Sequence, residues 1–381
     1  MLLVAACACV HLASAQTSSP VAYVYVSRPT HVDGFSAAAN GQLTPVPGSP
    51  FANISVSHMS VTNKFLFGAG DDNQSIYSFS LGKDGSLTRI GEIDTHSYNP
   101  PDNDCYDVGP TQVDYARTTV YNDDWNCDGD SQYIQSYKIE PNGELTFLDN
   151  SGGQSEDWEM GPPMVLGTDA YLYVAGLYGQ GPGGVIQSYK RQSNGAMELA
   201  NPNIEMPPTN NPDDIYQPFP VLAGDPTSHI AVAMQAENSI SGEDDGPPVL
   251  ASFTAQSNGN LVTTNSQDSM AAADLEWIDS MSISPTGKLL VVGGDGPVYS
   301  SDVKGFQIFH FNGASPITHF SGVLQGNYAF SQFGWDKYNH LYALGGGYLF
   351  VYTVTPTSIE QAPGSPYSIP EASSVIVLDL P

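Results

Sequence analysis

One short segment of this sequence has the residue types and spacing of a calcium-binding loop. Its oxygen-bearing residues alternate along the chain: Asp124, Asn126, Asp128 and Asp130. Such side chains can converge on one Ca²⁺ ion, while Gly129 allows the tight turn. Gln135 stands where an EF-hand would have its closing Glu, and no flanking helices are predicted, so an EF-hand is excluded. The segment predicts a calcium loop within a hairpin, and the alternative is a solvated acidic loop.

A pair of cysteines would bring further acids to this loop. Residues 1–15 are apolar and end in Ala-Ser-Ala, which predicts a cleaved signal peptide, although no Lys or Arg precedes the apolar run. Export would leave only Cys105 and Cys127, an even pair that predicts one disulfide. That bond would draw Asp102 and Asp104 toward the same ion. Two buried thiols are the alternative.

Other residues could support hydrolysis or sugar binding. Paired loop carboxylates can act as acid and base, but loop acids in an acidic protein also serve solubility alone. His96, in a long insertion at 95–112, could join His58 as a general base. Aromatic residues predicted in loops on the same face could stack on sugar rings, among them Trp125, Trp158 and Tyr178.

A recurring sequence pattern, which we call the cassette, predicts the strands that would position these residues. An aromatic residue precedes a turn glycine by six positions, and an apolar residue follows it by two, as in Phe35, Gly41 and Leu43. The same cassette surrounds four further glycines, Gly85, Gly143, Gly195 and Gly259, with looser copies near Gly313 and Tyr352. Asn-Gly and Asp-Gly pairs favour hairpin turns because glycine tolerates positive φ. Two β-rich runs precede each hairpin, so each unit has four strands.

Repeated four-stranded units cannot bury both faces alone, so they pack radially into a ring. The predicted fold is all-β: a seven-bladed β-propeller of four-stranded antiparallel blades. The C-terminal run 373–380 is predicted to pair into the N-terminal blade and close it. The predicted blades are 16–52 with 371–381, 53–95, 112–152, 162–203, 217–268, 277–323 and 327–370. Residues 16–381 are therefore expected to be one domain.

The charge of the chain limits its partners. Asp and Glu number 40 against 11 Lys and Arg, a formal net charge of −29. This charge repels nucleic acid and anionic lipid, so the expected partners are a glycan, a protein or a neutral small molecule. No second apolar stretch is long enough to span a bilayer, so membrane insertion is not expected. No motif predicts an organic cofactor, and export predicts a secreted, periplasmic or cell-surface protein.

Strand pairs of the form LYV…I.SY…NG.L resemble those of the lactonase-type seven-bladed propellers. The segment Pro47-Gly48-Ser49-Pro50-Phe51 and its echo at 363–367 strengthen this resemblance. The family includes 6-phosphogluconolactonase-like and YVTN-repeat proteins. It implies a site in the central funnel, where the first strands of the blades begin, with His, Arg and acidic residues.

At the corresponding positions this chain offers His58 and Asp279 as catalytic candidates, with Gln112 and Gln332 as ligand-binding candidates. None of its four Arg residues is predicted at a strand opening there. The sequence therefore predicts a ligand- or surface-binding module with a calcium-stabilised loop. The alternative is a lactone hydrolase acting on a neutral lactone, with His58 and a carboxylate activating water.

Overall fold

The computed structural model describes residues 19–98, 106–126, 132–151, 158–159, 164–168, 170–178, 184–294 and 304–381. In this part of the chain all regular structure is β-strand apart from two single 3-10 turns, His96–Tyr98 and Gln267–Ser269.

The strands of the first three blades are β1 (Ala22–Arg28), β2 (His31–Ala37), β3 (Leu43–Pro45), β4 (Phe51–Ala52), β5 (Val56–Val61), β6 (Phe65–Gly70), β7 (Ser75–Leu81), β8 (Leu87–Asp94), β9 (Tyr106–Val113), β10 (Thr119–Asn126), β11 (Gln132–Ile139) and β12 (Leu145–Ser151). The remaining strands are β13 (Trp158–Glu159), β14 (Met164–Thr168), β15 (Tyr171–Tyr178), β16 (Gly184–Arg191), β17 (Met197–Asn201), β18 (Asp214–Gly224), β19 (His229–Asn238), β20 (Asp244–Ala255), β21 (Leu261–Val262), β22 (Ala271–Ala272), β23 (Ser280–Ile283), β24 (Leu289–Gly294), β25 (Gly305–His310), β26 (Thr318–His319), β27 (Phe330–Trp335), β28 (His340–Gly345), β29 (Tyr348–Val354), β30 (Ile359–Gln361), β31 (Tyr367–Ser368) and β32 (Ser374–Asp379).

These strands form seven antiparallel sheets, which are the predicted blades. From the inner to the outer edge they are β32-β1-β2-β3, β5 to β8, β9 to β12, β13 and β14 followed by β15-β16-β17, β18 to β21, β23 to β26, and β27 to β30. We number them blades 1 to 7 in this order. The inner strands contact one another in a closed series: β32, β5, β9, β14, β18, β23, β27 and again β32. The predicted seven-bladed propeller is therefore confirmed.

The ring closes through the C-terminal strand, as the sequence predicts. β32 pairs antiparallel with β1, from Ala22 opposite Asp379 to Ser27 opposite Ser374. The segment 47–51 and its echo at 363–367 also have equivalent structures. Each ends in an additional short strand, β4 or β31, that pairs with the third strand of its blade.

The core consists of seven apolar clusters in the described part of the chain, one at each interface between neighbouring blades. In blades 7 and 1, for example, Tyr342 and Leu349 pack with Val24 and Val375. A blade therefore buries each face only against a neighbour, which explains why the ring has to close.

Blades 3 and 5 begin earlier than the sequence predicts. The inner strand of blade 3 starts at Tyr106 rather than at 112, and that of blade 5 starts at Asp214 rather than at 217. Both strands contain proline, which the strand pattern does not favour because proline lacks an N–H for the ladder. The prolines are tolerated because both strands have irregular pairing there, around Pro110 and around Pro220.

The cassette glycines adopt the predicted positive φ, from 60° at Gly313 to 89° at Gly143. Each hairpin packs against the preceding blade as well as turning the chain. The carbonyl oxygen of Gly85 in blade 2 accepts a 2.9 Å hydrogen bond from the Tyr25 hydroxyl of blade 1. The Tyr171 hydroxyl of blade 4 likewise donates to the carbonyl of Ser257 in blade 5, at 2.9 Å. The local turn signal is thus also an interlock between blades.

Substituting Gly85 tests this interlock. At Gly85 φ is +82°, and an added Cβ would lie 2.8 Å from the Tyr23 ring and from Val46. We expect Gly85→Ala to lower the free energy of unfolding by about 1–3 kcal/mol, because backbone strain and a steric clash add together. Urea denaturation measures the change. Gly91→Ala is the matched control, since an added Cβ there meets nothing within 4 Å. Equal effects of the two substitutions would contradict the interlock.

Candidate functional site

The axial channel is lined by the seven inner strands: β32, β5, β9, β13 with β14, β18, β23 and β27. None of these strands contains a Lys or Arg. Their described polar residues with partly or fully exposed side chains are Ser57, His58, Gln112, Gln217, Ser282, Ser331, Gln332 and Asp379. The channel wall therefore combines hydroxyl, amide and imidazole groups and one carboxylate with apolar side chains.

Irregular pairing occurs at a similar depth in four inner strands. The ladder is interrupted opposite Gly68 in blade 2, Asp123 in blade 3 and Ala233 in blade 5, and next to Leu344 in blade 7. These positions are the fourth or fifth residues of the second strands of their blades. β-bulges re-aim side chains and are common beside functional sites. At this level of the channel the side chains therefore do not follow regular strand alternation.

His58 lies in the bulge of blade 2. Its φ of +46° is in the left-handed region, which histidine rarely adopts. The Thr111 hydroxyl of blade 3 donates a 2.7 Å hydrogen bond to the His58 carbonyl oxygen, and the Ser60 and Thr111 hydroxyls are 2.9 Å apart. Neighbouring inner strands therefore hold the backbone of His58 in its unusual conformation. Strain of this kind is a recognised indicator of function.

The imidazole of His58 is suited to be neutral near pH 7. Burial lowers the pKa of His58 below its ordinary value of 6.5, because the charged form is poorly solvated there. Within the described residues its ring forms no ion pair or hydrogen bond with a carboxylate. His58 can therefore accept a proton or a hydrogen bond, but in the described part of the chain it has no acid partner of the kind that the hydrolase alternative requires.

Other hydrogen bonds fix the same wall. The Ser280 hydroxyl of blade 6 donates to the carbonyl oxygen of Phe330 in blade 7, beside the bulge at Ser331, at 3.1 Å. The side-chain oxygen of Gln332 accepts the backbone N–H of Val375 at 2.8 Å. These bonds link consecutive inner strands, so the channel has a rigid wall.

The other predicted channel residues lie at different heights. Asp279 is exposed immediately before β23, and its N–H donates to Gly293 at 3.0 Å. It belongs to blade 6, whereas His58 belongs to blade 2. Gln112 was predicted at the opening of blade 3. It is instead the seventh of the eight residues of β9. The early start of that strand explains the error.

His96 lies outside the channel wall. It begins a 3-10 turn after β8, the outer strand of blade 2, and its N–H donates to the Asp94 carboxylate at 2.9 Å. Since His58 is on the inner strand of the same blade, the structure does not bring the two histidines together. His58 is in β5 and His96 follows β8, and a joint role for the two histidines stays a prediction.

The three aromatic residues predicted in loops are in strands. Trp125 is in β10, paired with Gln132, and Trp158 in β13 pairs with Tyr178 in β15. The predicted loop placement is wrong because the strands of blades 3 and 4 extend beyond the apolar runs that marked them. Their proposed sugar-binding role stays a prediction.

Most of the predicted calcium site falls outside the described residues: Asp102, Asp104, Asp128, Asp130, Cys105 and Cys127. Residues 1–15, the predicted signal peptide, also lie outside them. Asn126 ends β10. Asp124 is in the same strand with 0% exposure, where one oxygen accepts the Gln135 side-chain N–H at 3.2 Å. A solvated position for Asp124 is therefore wrong, and calcium binding stays a prediction.

Among the described residues no three His, Cys, Asp or Glu side chains gather as a metal site would require. In the same part of the chain no helix has the length and apolar character needed to cross a bilayer.

Sequence reasoning missed Thr111, which holds His58, and the bulges that shape the wall. The Gly109-Pro110 pair was an available signal, since both residues are unusual within a strand. An added Cβ at Gly109 would lie 2.6 Å from the Asp123 carbonyl oxygen, so glycine is needed for this close approach.

The fold resembles those of several solved structures. One of them is a protein from Bacteroides uniformis that is proposed to be a 6-phosphogluconolactonase. Its TM-score is 0.65 at 13% sequence identity, and the match covers 94% of this chain and 99% of that protein. The periplasmic gluconolactonase of Pseudomonas aeruginosa has a TM-score of 0.63 and 12% identity, with coverage of 94% and 99%. A functionally unknown protein from Desulfotomaculum acetoxidans has a TM-score of 0.62 and 10% identity, with coverage of 96% and 100%.

No family model matches this sequence, and no curated protein matches it. At these identities the likeness concerns the fold. The chain therefore has the fold of the lactonase-type seven-bladed propellers, as its strand motifs predict.

Proposed function

We propose that this protein is an exported ligand-binding propeller that takes a neutral, hydroxyl-rich ligand, a carbohydrate, in its axial channel. The observation that carries the proposal is the composition of the seven inner strands. They contain no Lys or Arg, and apart from Asp379 at the end of β32 their described polar side chains that reach solvent belong to Ser and Gln residues and to His58. A phosphate or carboxylate that entered the channel would lose its hydration shell and meet no Lys or Arg on the inner strands. Sugar hydroxyls, in contrast, can replace their hydrogen bonds to water with bonds to amides, hydroxyls and an imidazole.

The experiment compares neutral sugars with their charged analogues. We expect a panel of neutral mono- and oligosaccharides to contain a ligand detected by titration calorimetry, and its phosphorylated analogue to bind at least about tenfold more weakly. His58→Ala should lower the affinity by about tenfold, because a polar contact is lost. His319→Ala is the control, since His319 is exposed on the outer strand β26. Preference for the charged analogue would refute the proposal.

The pH dependence follows from the state of His58. Its lowered pKa keeps the ring neutral at pH 7, so the affinity should be constant at neutral pH. The affinity should fall only as the pH drops below 6.5 through the lowered pKa, when the ring gains a proton. If the affinity instead falls as the pH rises above 6.5, a group other than His58 controls the pH dependence of binding.

A second candidate, hydrolysis of a neutral lactone, is favoured by one observation. His58 is neutral and held in a strained bulge, so its free ring nitrogen could accept a proton from attacking water. A hydrolase would cleave neutral lactones at a rate that His58→Ala reduces to the uncatalysed value. Binding without hydrolysis would retain the first proposal and exclude the second.

Export, the disulfide between Cys105 and Cys127, and calcium binding remain part of this proposal. They are supported by the sequence of residues 1–15 and by the acidic segment from Asp124 to Asp130.

A further inference from the structure

Several positive charges of this acidic protein lie at one end of its channel. The turns that join each inner strand to the second strand of its blade surround this end, and we call them the first turns. The described first turns are 62–64, 114–118, 225–228, 284–288 and 336–339. They contain Lys64, Arg117, Lys288 and Lys337, all at least partly exposed. Four of the chain's 11 basic residues therefore lie around one mouth.

The acids of the described first turns do not cancel these charges at the surface. Asp114, Asp225 and Asp336 are 2%, 4% and 0% exposed. Each accepts hydrogen bonds from its own turn and has a basic partner: Arg191 at 2.7 Å, His229 at 3.1 Å and His340 at 2.7 Å. The carboxylates are therefore structural caps, and the exposed charge of these turns is positive.

Exposed aromatic residues lie at the same mouth. Five large apolar side chains of the described chain are exposed, and the two aromatic ones are Tyr115, at 44%, and Tyr338, at 53%. Both are in first turns, of blades 3 and 7. Aromatic rings that face water beside cations are suited to stack on the apolar face of a sugar.

Two contacts and one electrostatic interaction connect groups around this mouth. The Tyr115 hydroxyl of blade 3 lies 3.5 Å from the carbonyl oxygen of Gly224, at the end of the inner strand of blade 5. The backbone N–H of Lys337 in blade 7 donates to the Asp379 carboxylate of blade 1 at 2.7 Å. Burial raises the pKa of Asp379, while the charges of Lys337 and Arg117 act in the opposite direction. Arg117 of blade 3 is therefore within electrostatic reach of blade 1.

Arg117 has a second unusual feature. Its φ is +60°, a left-handed conformation that is costly for arginine. A surface turn could avoid this cost with Gly or Asn. The side chain is nevertheless exposed at the mouth, where its planar guanidinium could bind a carboxylate through two parallel hydrogen bonds.

We propose that this mouth, formed by Tyr115, Arg117, Lys337 and Tyr338, is a second ligand site that takes a short carboxylated sugar, a uronate. Tyr338 and Tyr115 stack on the sugar ring, and Arg117 with Lys337 binds its carboxylate. The ligand is short and singly charged, because the net charge of −29 repels long or highly charged anions. The site is at the end of the channel opposite to the one where the inner strands begin, and it does not depend on the proposed function.

The test is titration of the full chain with glucuronate and with glucose, by calorimetry or by saturation-transfer NMR. We expect glucuronate to bind at least about tenfold more tightly than glucose, and added salt to weaken the difference. Arg117→Asn should abolish the difference. Asparagine tolerates a left-handed backbone, so this variant should keep the wild-type unfolding transition. Tyr338→Ala should weaken glucuronate binding about tenfold.

Arg89→Gln is the matched control. Arg89 is an exposed arginine on the outer strand β8, where it pairs with Glu92. This substitution removes the same charge without changing the mouth, so glucuronate binding should stay at the wild-type value. The proposal is overturned if glucuronate and glucose bind equally, if Arg89→Gln has the same effect as Arg117→Asn, or if phosphorylated glucose binds more tightly than glucuronate. Binding of a neutral sugar in the channel should be unaffected by Arg117→Asn, which separates the two sites.

Discussion

Removal of residues 374–381 is expected to abolish the cooperative folding of the whole protein. These residues contain β32, the inner strand of blade 1. Their loss would expose the edge of β1 and remove Val375 and Leu378 from the clusters on both sides of the blade. The expected loss is comparable with the entire stability of a domain, about 5–15 kcal/mol. Circular dichroism during heating and size-exclusion chromatography measure it.

The control for this truncation is deletion of Pro381 alone, an exposed residue beyond β32. This protein should unfold like the wild type. A peptide of residues 372–381, added to the truncated chain, should restore a cooperative transition by pairing with β1. A truncated protein that retains the wild-type transition without the peptide would show that ring closure is unnecessary.

The second large effect is expected for His340→Ala. His340 and Asp336 are 1% and 0% exposed, and their side chains are joined by a 2.7 Å hydrogen bond. Asp336 also accepts the Tyr342 hydroxyl at 3.0 Å and the backbone N–H groups of Tyr338 and His340. Removing the imidazole leaves a buried carboxylate without this partner. We expect the free energy of unfolding to fall by about 3–5 kcal/mol, measured by urea denaturation.

The chain contains a matched control for this pair. His229 and Asp225 have the same spacing and a 3.1 Å contact in blade 5, but the His229 side chain is 23% exposed. His229→Ala should cost about 1 kcal/mol or less, because water can replace the imidazole. Equal losses for His340→Ala and His229→Ala would show that burial does not determine the strength of the pair.

Local and long-range interactions determine different features of this fold. The Asn-Gly and Asp-Gly hairpins were predictable, because a glycine at positive φ depends on two or three neighbouring residues. The closing strand was also predictable, since a β-rich run at each end of a repeat array leaves one blade incomplete without the other. By contrast, the early starts of β9 and β18 were missed, because Pro110 and Pro220 suppress the strand pattern.

The candidate site shows the same division. His58 could be selected as a channel residue from its position in the repeat, but its strained φ depends on a hydrogen bond from Thr111 in the next blade. From the sequence, Asp124 is predicted to be an acid in a loop. In the structure it lies in β10, between β9 and β11, and is completely buried. Such outcomes depend on which faces pack together, and the sequence pattern of one strand does not contain that information.

By itself, then, the sequence determined the fold class, the number of blades and the way the ring closes, because repeated turn chemistry and strand patterning are local and occur many times. Only the tertiary structure decided what meets at each end of the channel. Tyr115 with Arg117 and Lys337 with Tyr338 are far apart in the chain, and each pair is unremarkable in its own turn. They lie around one mouth because a closed ring places the described first turns of its blades around one axis.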